Sequence, residues 1–177
     1  MSILRAEPHS HSGKTNVWLT PRWVLNLFGP FDLDPCAAPG WETAAKHYYE
    51  ADNGLYCEWD GFVWCNPPYG VEGSHWVTMM CAHGNGLLLV ANRSDSSWWQ
   101  TAARRADAAW FPRGRIHFLT PDGFTEVKGT AFASVIFAFG AEAVSRLSRA
   151  KHLGTIMAEL KRQAEEEAKM KAEGESA

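Results

Sequence analysis

The chain has 177 residues, of which 46% are hydrophobic and 12% aromatic, with 9 tryptophans and a formal net charge of −3. That length suits a single domain that buries a core without disulfide or metal support, and the slightly acidic balance excludes binding of nucleic acid through overall positive charge, so any such contact needs a local basic face. Cys36, Cys57, Cys65 and Cys81 show no Cys-x-x-Cys spacing, and no signal peptide, lipidation motif or membrane-length apolar run is present; the expectation is a soluble protein of a reducing cytoplasm with no metal site.

Residues 1–16 mix Pro, His, Ser, Gly and Lys without apolar periodicity and read as a flexible arm, with His9 and His11 a solvated pair rather than metal ligands. Thr20-Pro21 has the form of an N-cap followed by a proline at the first helical position. Trp23, Val24, Leu27 and Phe28 then recur on one face until Gly29-Pro30, which predicts a short amphipathic helix. Phe31 to Cys36 alternates apolar and acidic residues before the small-residue loop Ala37-Ala38-Pro39-Gly40, a strand and a loop that lets a ligand approach the backbone. Asp34 at that strand end could hold an amino group through a charge-assisted bond, or simply cap a turn. Residues 41–60 read as an irregular segment with a tight turn at Asn53-Gly54.

The apolar run Gly61-Phe62-Val63-Trp64-Cys65 stops at Asn66-Pro67-Pro68-Tyr69, which predicts a buried strand that ends abruptly at the carboxyl edge of a sheet. Open α/β sheets bind their ligands at that edge. The Asn66 side-chain oxygen and a proline carbonyl can both accept hydrogen bonds from one flat amino group, directing its lone pair out of the ring plane. Tyr69 offers an aromatic face for a planar base, and the prolines fix the spacing. The nitrogen could then attack an electrophilic methyl group. Taken alone, the tetrapeptide reads equally as a proline-terminated turn with a packed tyrosine.

Beyond it, Trp76, Val77, Met80 and Cys81 have helical spacing, and Gly86 to Ala91 is a continuous apolar strand run leading to Arg93-Ser94-Asp95. Ser97 to Gln100 has capping-box spacing and predicts a helix from Trp98 to Ala106 ending in Arg104 and Arg105. A third apolar run, Ala108 to Phe111, precedes Pro112-Arg113-Gly114-Arg115. Strand-like Ile116 to Leu119 and the run Ala131 to Phe139 then suggest a closing hairpin. From Ala141 the pattern is helical through Leu160, and Lys161 to Ala177 reads as a helix that outruns the domain and frays.

Six ordered blocks carry a resemblance: Trp18-Leu19-Thr20-Pro21; Phe31-Asp32-Leu33-Asp34-Pro35-Cys36-Ala37; Asn53-Gly54-Leu55 ahead of Trp59; Asn66-Pro67-Pro68-Tyr69; Arg93-Ser94-Asp95 ahead of Trp98; and Gly114-Arg115-Ile116-His117-Phe118. In order and content they resemble the phage and prophage DNA adenine-N6 methyltransferases, which use S-adenosylmethionine. The resemblance implies an α/β, Rossmann-like class I methyltransferase fold, with a mostly parallel sheet, a C-terminal hairpin and a C-terminal helix. Residues 17–140 would form the methyltransferase domain and 141–177 the helix with its charged end. Catalysis would fall to Asn66, Pro67, Pro68 and Tyr69. S-adenosylmethionine would be bound by Trp18, Thr20, Pro21, Asp34, Pro35, Cys36, Ala37 and Asp52, the last at the adenosine unless it is only a turn residue.

DNA contact would use Arg93, Ser94, Arg113 and Arg115, although arginines beside a turn are also ordinary solvated groups. The implied partner is double-stranded DNA, bound by a monomer or weak dimer in a bacterial host cytoplasm. The chain departs from the wider methyltransferase pattern in lacking a glycine-rich loop after its first strand. Cytosine N4, a protein glutamine or an RNA base would suit the same tetrapeptide, and a non-catalytic DNA-binding module would keep the fold alone. No insertion is long enough for a separate recognition domain, so target choice rests on short loops.

Overall fold

The computed structural model describes residues 17–68, 73–127, 132–161, 165–166 and 170. The expected N-terminal arm, Tyr69 and most of the charged C-terminal end lie outside the described residues. Four helices, α1 (Arg22–Phe28), α2 (Gly73–His83), α3 (Ser97–Arg105) and α4 (Ala141–Leu147), flank a sheet of seven strands among these residues. The strands are β1 (Leu33–Asp34), β2 (Lys46–His47), β3 (Val63–Cys65), β4 (Gly86–Ala91), β5 (Ala108–Pro112), β6 (Ser134–Phe139) and β7 (Gly154–Ala158), arranged in the order β2-β1-β3-β4-β6-β5-β7.

The two-residue period of each strand divides its side chains between two cores. Phe62, Trp64, Leu87, Leu89, Trp110 and Ile136 face α1 and α4, while Val63, Cys65, Leu88, Val90, Ala109, Val135 and Phe137 face α2 and α3. Continuous apolar runs in β3, β4 and β6 follow from burial on both sides. The result is a three-layer α/β domain.

The sheet is mixed. β2, β1, β3 and β4 pair in parallel, whereas β4–β6, β6–β5 and β5–β7 are antiparallel, with β4–β6 and β5–β7 the longest ladders. This corrects the expectation of a mostly parallel sheet: the parallel strands β1, β2 and β3 are only two or three residues long. β6 pairs antiparallel with β4 and β5 and not, as expected of a closing hairpin, with Ile116 to Leu119. Ile116 to Leu119 is not a strand: Ile116 and Phe118 are buried and His117 is exposed, and its β-bridges are those of Leu119 to Leu19 and Glu126. β2 arises in the segment read as irregular, its exposed Lys46 and partly covered His47 giving no apolar pattern.

The C-terminal helix is also corrected. α4 ends at Leu147, a 3-10 turn covers Ser148–Ala150, and β7 then pairs antiparallel with β5. The apolar residues Ile156 and Met157 fit a helix period by coincidence of spacing, but their burial alternates as in a strand. Gly154 decides the geometry, since a Cβ there would stand 2.2 Å from the Phe111 carbonyl and 2.6 Å from the Trp110 indole nitrogen.

Gly154→Ala therefore has opposite expected signs in the two arrangements. In the observed sheet it should destabilise the domain by about 1–3 kcal/mol through overpacking. In a helix, alanine would stabilise by up to about 1 kcal/mol. Denaturant unfolding of the variant reads the sign directly.

Candidate active site

β1 and β3 are sheet neighbours, yet the chain passes from β1 outward to β2 before returning to β3. A crevice opens outside their carboxyl ends, where such a reversal of strand order leaves neighbouring connections on opposite faces. It holds a cavity of about 410 Å³. Of the residues expected in a site, Trp18, Thr20, Asp34, Pro35, Cys36, Ala37, Asn66, Pro67 and Pro68 line it. Pro21 and Asp52 do not. The cavity is of the size that holds small ligands and cofactors.

Asn66 follows the last residue of β3 and its amide orientation is determined by its partners. Its Nδ2 donates to the Trp18 carbonyl at 3.1 Å and to Thr20 Oγ1 at 3.2 Å. Reversing the amide would set two acceptors against each other at Trp18, so the oxygen is the other atom. That Oδ1 is buried and has no hydrogen-bond partner. The Thr20 hydroxyl thus serves Asn66 and not the helix: α1 begins after Pro21 without a side-chain cap, which corrects the N-cap reading of Thr20.

The segment that carries Trp18 and Thr20 is itself fixed. Leu19 exchanges both backbone hydrogen bonds with Leu119 at 2.9 Å, and the Trp41 indole donates to the Thr20 carbonyl at 2.9 Å. The Arg22 guanidinium lies 3.7 Å from the centre of the Trp41 ring, which also lines the cavity.

Asp34 is only 3% exposed. One carboxylate oxygen accepts the Cys36 N–H at 3.0 Å and the other the Thr43 hydroxyl at 2.6 Å. Burial outweighs these bonds and the nearby His47, so the Asp34 carboxyl is held above its ordinary value. His47 Nε2 accepts the N–H groups of Thr43 and Ala44, which fixes the loop bearing the Thr43 hydroxyl. A buried carboxyl against a cavity wall is a prepared partner for a cationic amine.

Sequence reading missed Glu50 and Asn53 on the cavity wall. The signal would have been the end of β2, which was not legible as a strand. Asp52 instead accepts the Tyr49 N–H at 2.8 Å and caps the 3-10 turn Glu50–Asp52, while Asn53 closes it in the left-handed conformation with φ 51°. Gly54 next to it touches the loop after β1 so closely that a Cβ would stand 1.9 Å from the Pro35 carbonyl oxygen. Cys36 Sγ lies 3.8 Å from Cys65 Sγ, and burial pushes the Cys36 thiol well above its usual value, keeping it protonated.

The expected DNA-contact residues stand outside the cavity. Arg93 pairs with Asp95 at 3.5 Å and its guanidinium lies 4.8 Å from the centre of the Phe132 ring, while Arg115 donates to the Phe132 carbonyl at 3.2 Å. Arg93 and Arg115 are thereby brought together at the start of β6. The Ser94 carbonyl is tied to the Gln100 amide of α3 at 2.7 Å, and Gln100 consequently makes no capping box with Ser97; the N-cap is Ser96. Arg113 is exposed and donates its backbone N–H to Leu153 ahead of β7.

Against known proteins, the family model described as DNA N-6-adenine-methyltransferase (Dam) matches residues 8–161, most of the chain. No curated protein and no solved structure matches. Among the described residues no helix is long and apolar enough to cross a membrane.

The raised Asp34 value has a sign that stability measurements can read. An unfolded carboxyl ionises near pH 3.9, about where free aspartate does. The folded chain holds its proton longer, so stability from this group is fully present at acid pH and declines as pH rises through that window to the raised value. Thermal melting of wild type and Asp34→Asn across this range should show the gap moving in the variant's favour with rising pH. A gap constant with pH would mean that Asp34 titrates alike in both states.

Proposed function

This chain belongs to the DNA N-6-adenine-methyltransferase (Dam) family, and on that premise we propose how its own residues methylate adenine N6 in DNA. The chain is an enzyme of DNA adenine methylation, and the fold is the mixed α/β arrangement described above. We read that fold as Rossmann-like of the methyltransferase class, with S-adenosylmethionine as methyl donor in the cavity between β1 and β3. Double-stranded DNA is the proposed substrate, and a bacterial cytoplasm with a phage-encoded modification system the proposed setting.

The reading is carried by one observation: the buried, unpartnered Oδ1 of Asn66 on the wall of a cavity of cofactor size. An acceptor left without a donor costs about 1–3 kcal/mol. An adenine N6 amino group supplies the missing donor, with the Pro67 carbonyl as the second acceptor and Tyr69 as a stacking face. Removal of the base from the duplex stack is needed to bring N6 there. S-adenosylmethionine, when bound, supplies a methyl carbon made electrophilic by its sulfonium.

Within the same cavity Asp34 suits the ammonium of the methionine moiety, and the backbone of Pro35, Cys36 and Ala37 suits its close approach. Glu50, past the end of β2, replaces Asp52 as the acidic group for the nucleoside end, because Asp52 is spent on the 3-10 turn. Trp18 and Thr20 act by aiming the Asn66 amide; Pro21, which does not line the cavity, acts only by starting α1. The proton of N6 needs no strong base, since the amine becomes acidic as it acquires positive charge. Arg93, Ser94, Arg113 and Arg115 would meet the DNA backbone along the same sheet edge.

Incubation with labelled S-adenosylmethionine and unmethylated duplex DNA, followed by digestion to nucleosides, should yield N6-methyladenine. Label in N4-methylcytosine, or none in DNA, would sink the reading. Asn66→Ala should lose about 10²–10³ in turnover while still binding the cofactor.

Thr20→Val removes the hydroxyl that orients the amide and keeps the shape of the side chain. A fall of about 10-fold or more in kcat is expected, with cofactor Kd little changed. Thr20→Ser should restore most of the rate. Equal losses in Val and Ser variants would assign Thr20 to packing instead.

A further inference from the structure

β2 runs parallel to β1 with His47 paired to Asp34. Side chains at such paired positions share one face of the sheet, so the imidazole lies beside the carboxyl read above as the partner of the methionine ammonium. His47 is not itself on the cavity wall, whereas Asp34, Thr43 and Tyr49 are. Its side chain is only 9% exposed.

Nε2 of His47 accepts two hydrogen bonds, from the Thr43 N–H at 3.1 Å and the Ala44 N–H at 3.2 Å. A ring nitrogen that accepts carries no proton, so the network assigns a neutral imidazole with its proton on Nδ1, 3.6 Å from the Glu42 carboxylate. The ring stacks on Tyr49, with centroids 6.0 Å apart and planes 17° from parallel. Thr43 in turn donates its hydroxyl to Asp34 at 2.6 Å. One side chain behind the wall thus touches two wall residues and reaches a third through Thr43.

Among the described residues, the charged groups that face the ring are Glu42, on the loop before β2, and Asp34, on β1. Lys46 turns to the other face of β2, its ammonium 4.6 Å from the centre of the Tyr48 ring. Arg22 of α1 reaches the same loop by donating to the Glu42 carbonyl. A proton added at Nε2 converts the acceptor into a donor, and the Thr43 and Ala44 N–H groups then confront an N–H. The loop must move away and take the Thr43 hydroxyl with it. An imidazolium beside Asp34 also competes with an ammonium for the same carboxylate.

We propose that His47 is a positioning residue for S-adenosylmethionine: neutral, it holds the loop that aims Thr43 at Asp34, and protonated, it releases that loop and weakens cofactor binding. The inference rests on the placement of the cofactor in this cavity. Asp34 contributes a pH dependence of the same sign, because burial holds its carboxyl above the ordinary value and the ammonium needs the ionised form. The two sources separate when only His47 is changed.

The test measures the Kd of S-adenosylmethionine by calorimetry from about pH 8 to about pH 5, the interval in which histidines take up a proton, for wild type, His47→Gln and His47→Ala. Glutamine brings an amide oxygen to about the reach of Nε2 and does not titrate. At the alkaline end the Gln variant should bind within about 3-fold of wild type, and the Ala variant about 5-fold to 100-fold more weakly, since two N–H groups lose their acceptor. Towards acid, wild type should lose clearly more affinity than the Gln variant. Superimposable profiles for these two would give the whole pH dependence to Asp34 and overturn the proposal. A folded Gln variant as weak as Ala, or an Ala variant as tight as wild type, would overturn it as well. Should the Ala variant not fold, the wild-type and Gln profiles decide. Long-range proton–nitrogen NMR of the cofactor-free protein adds a readout that needs no binding: the Nδ1–H tautomer is expected, and the Nε2–H tautomer would refute the assigned role. Wild type with the expected tautomer and no affinity for S-adenosylmethionine would sink the cofactor reading itself, and the proposal with it.

Discussion

Everything at the site depends on where β3 is made to stop. Val63, Trp64 and Cys65 are wholly buried, and such a strand would ordinarily continue its ladder with β4. Pro67 and Pro68 have no N–H to give, so the chain must leave the sheet directly after Asn66. Asn66 is thereby placed at an edge where it has no strand partner and must find hydrogen bonds elsewhere. The Trp18 carbonyl and Thr20 hydroxyl take both of its donors, and its acceptor is left over. The protein itself thus supplies no donor for this buried acceptor.

Much of this was legible in the residues, and the gaps have physical causes. β3, β4, β6 and the helices α1, α2 and α3 are long enough, or buried on enough sides, for periodicity to mark them. β2 was not, because a two-residue exposed edge strand carries no pattern, and with it went the position of Glu50. β7 was misread because five residues with two apolar positions fit either period. Thr20 was given to the wrong partner for a different reason. Thr-Pro before an apolar helix is a sound local signal, but a hydroxyl serves one strong neighbour at a time, and a residue 46 positions later claimed it. Local pattern could place Asn66 at an edge; it could not say which segment would cross over to orient it.

The slight negative charge also acquires a structural sense. Several arginines make contacts within the fold: Arg22 with the Trp41 ring, Arg146 with the Phe62 ring and the carbonyls of Phe28 and Pro30, and Arg149 with those of Leu27 and Gly29.

Arg146 and Arg149 have a consequence in the order of synthesis. They grip the carboxyl end of α1, the helix that follows Thr20, and so a group from the far part of the chain steadies the segment that aims Asn66. At a synthesis rate of roughly 5–20 residues per second, the first half of the cavity wall leaves the ribosome seconds before those arginines do. During that interval β1 and β3 exist without the clamp on α1 and without Leu119 beside Leu19. The segment that orients the Asn66 amide is therefore held from both sides only once nearly all of the described domain has been made.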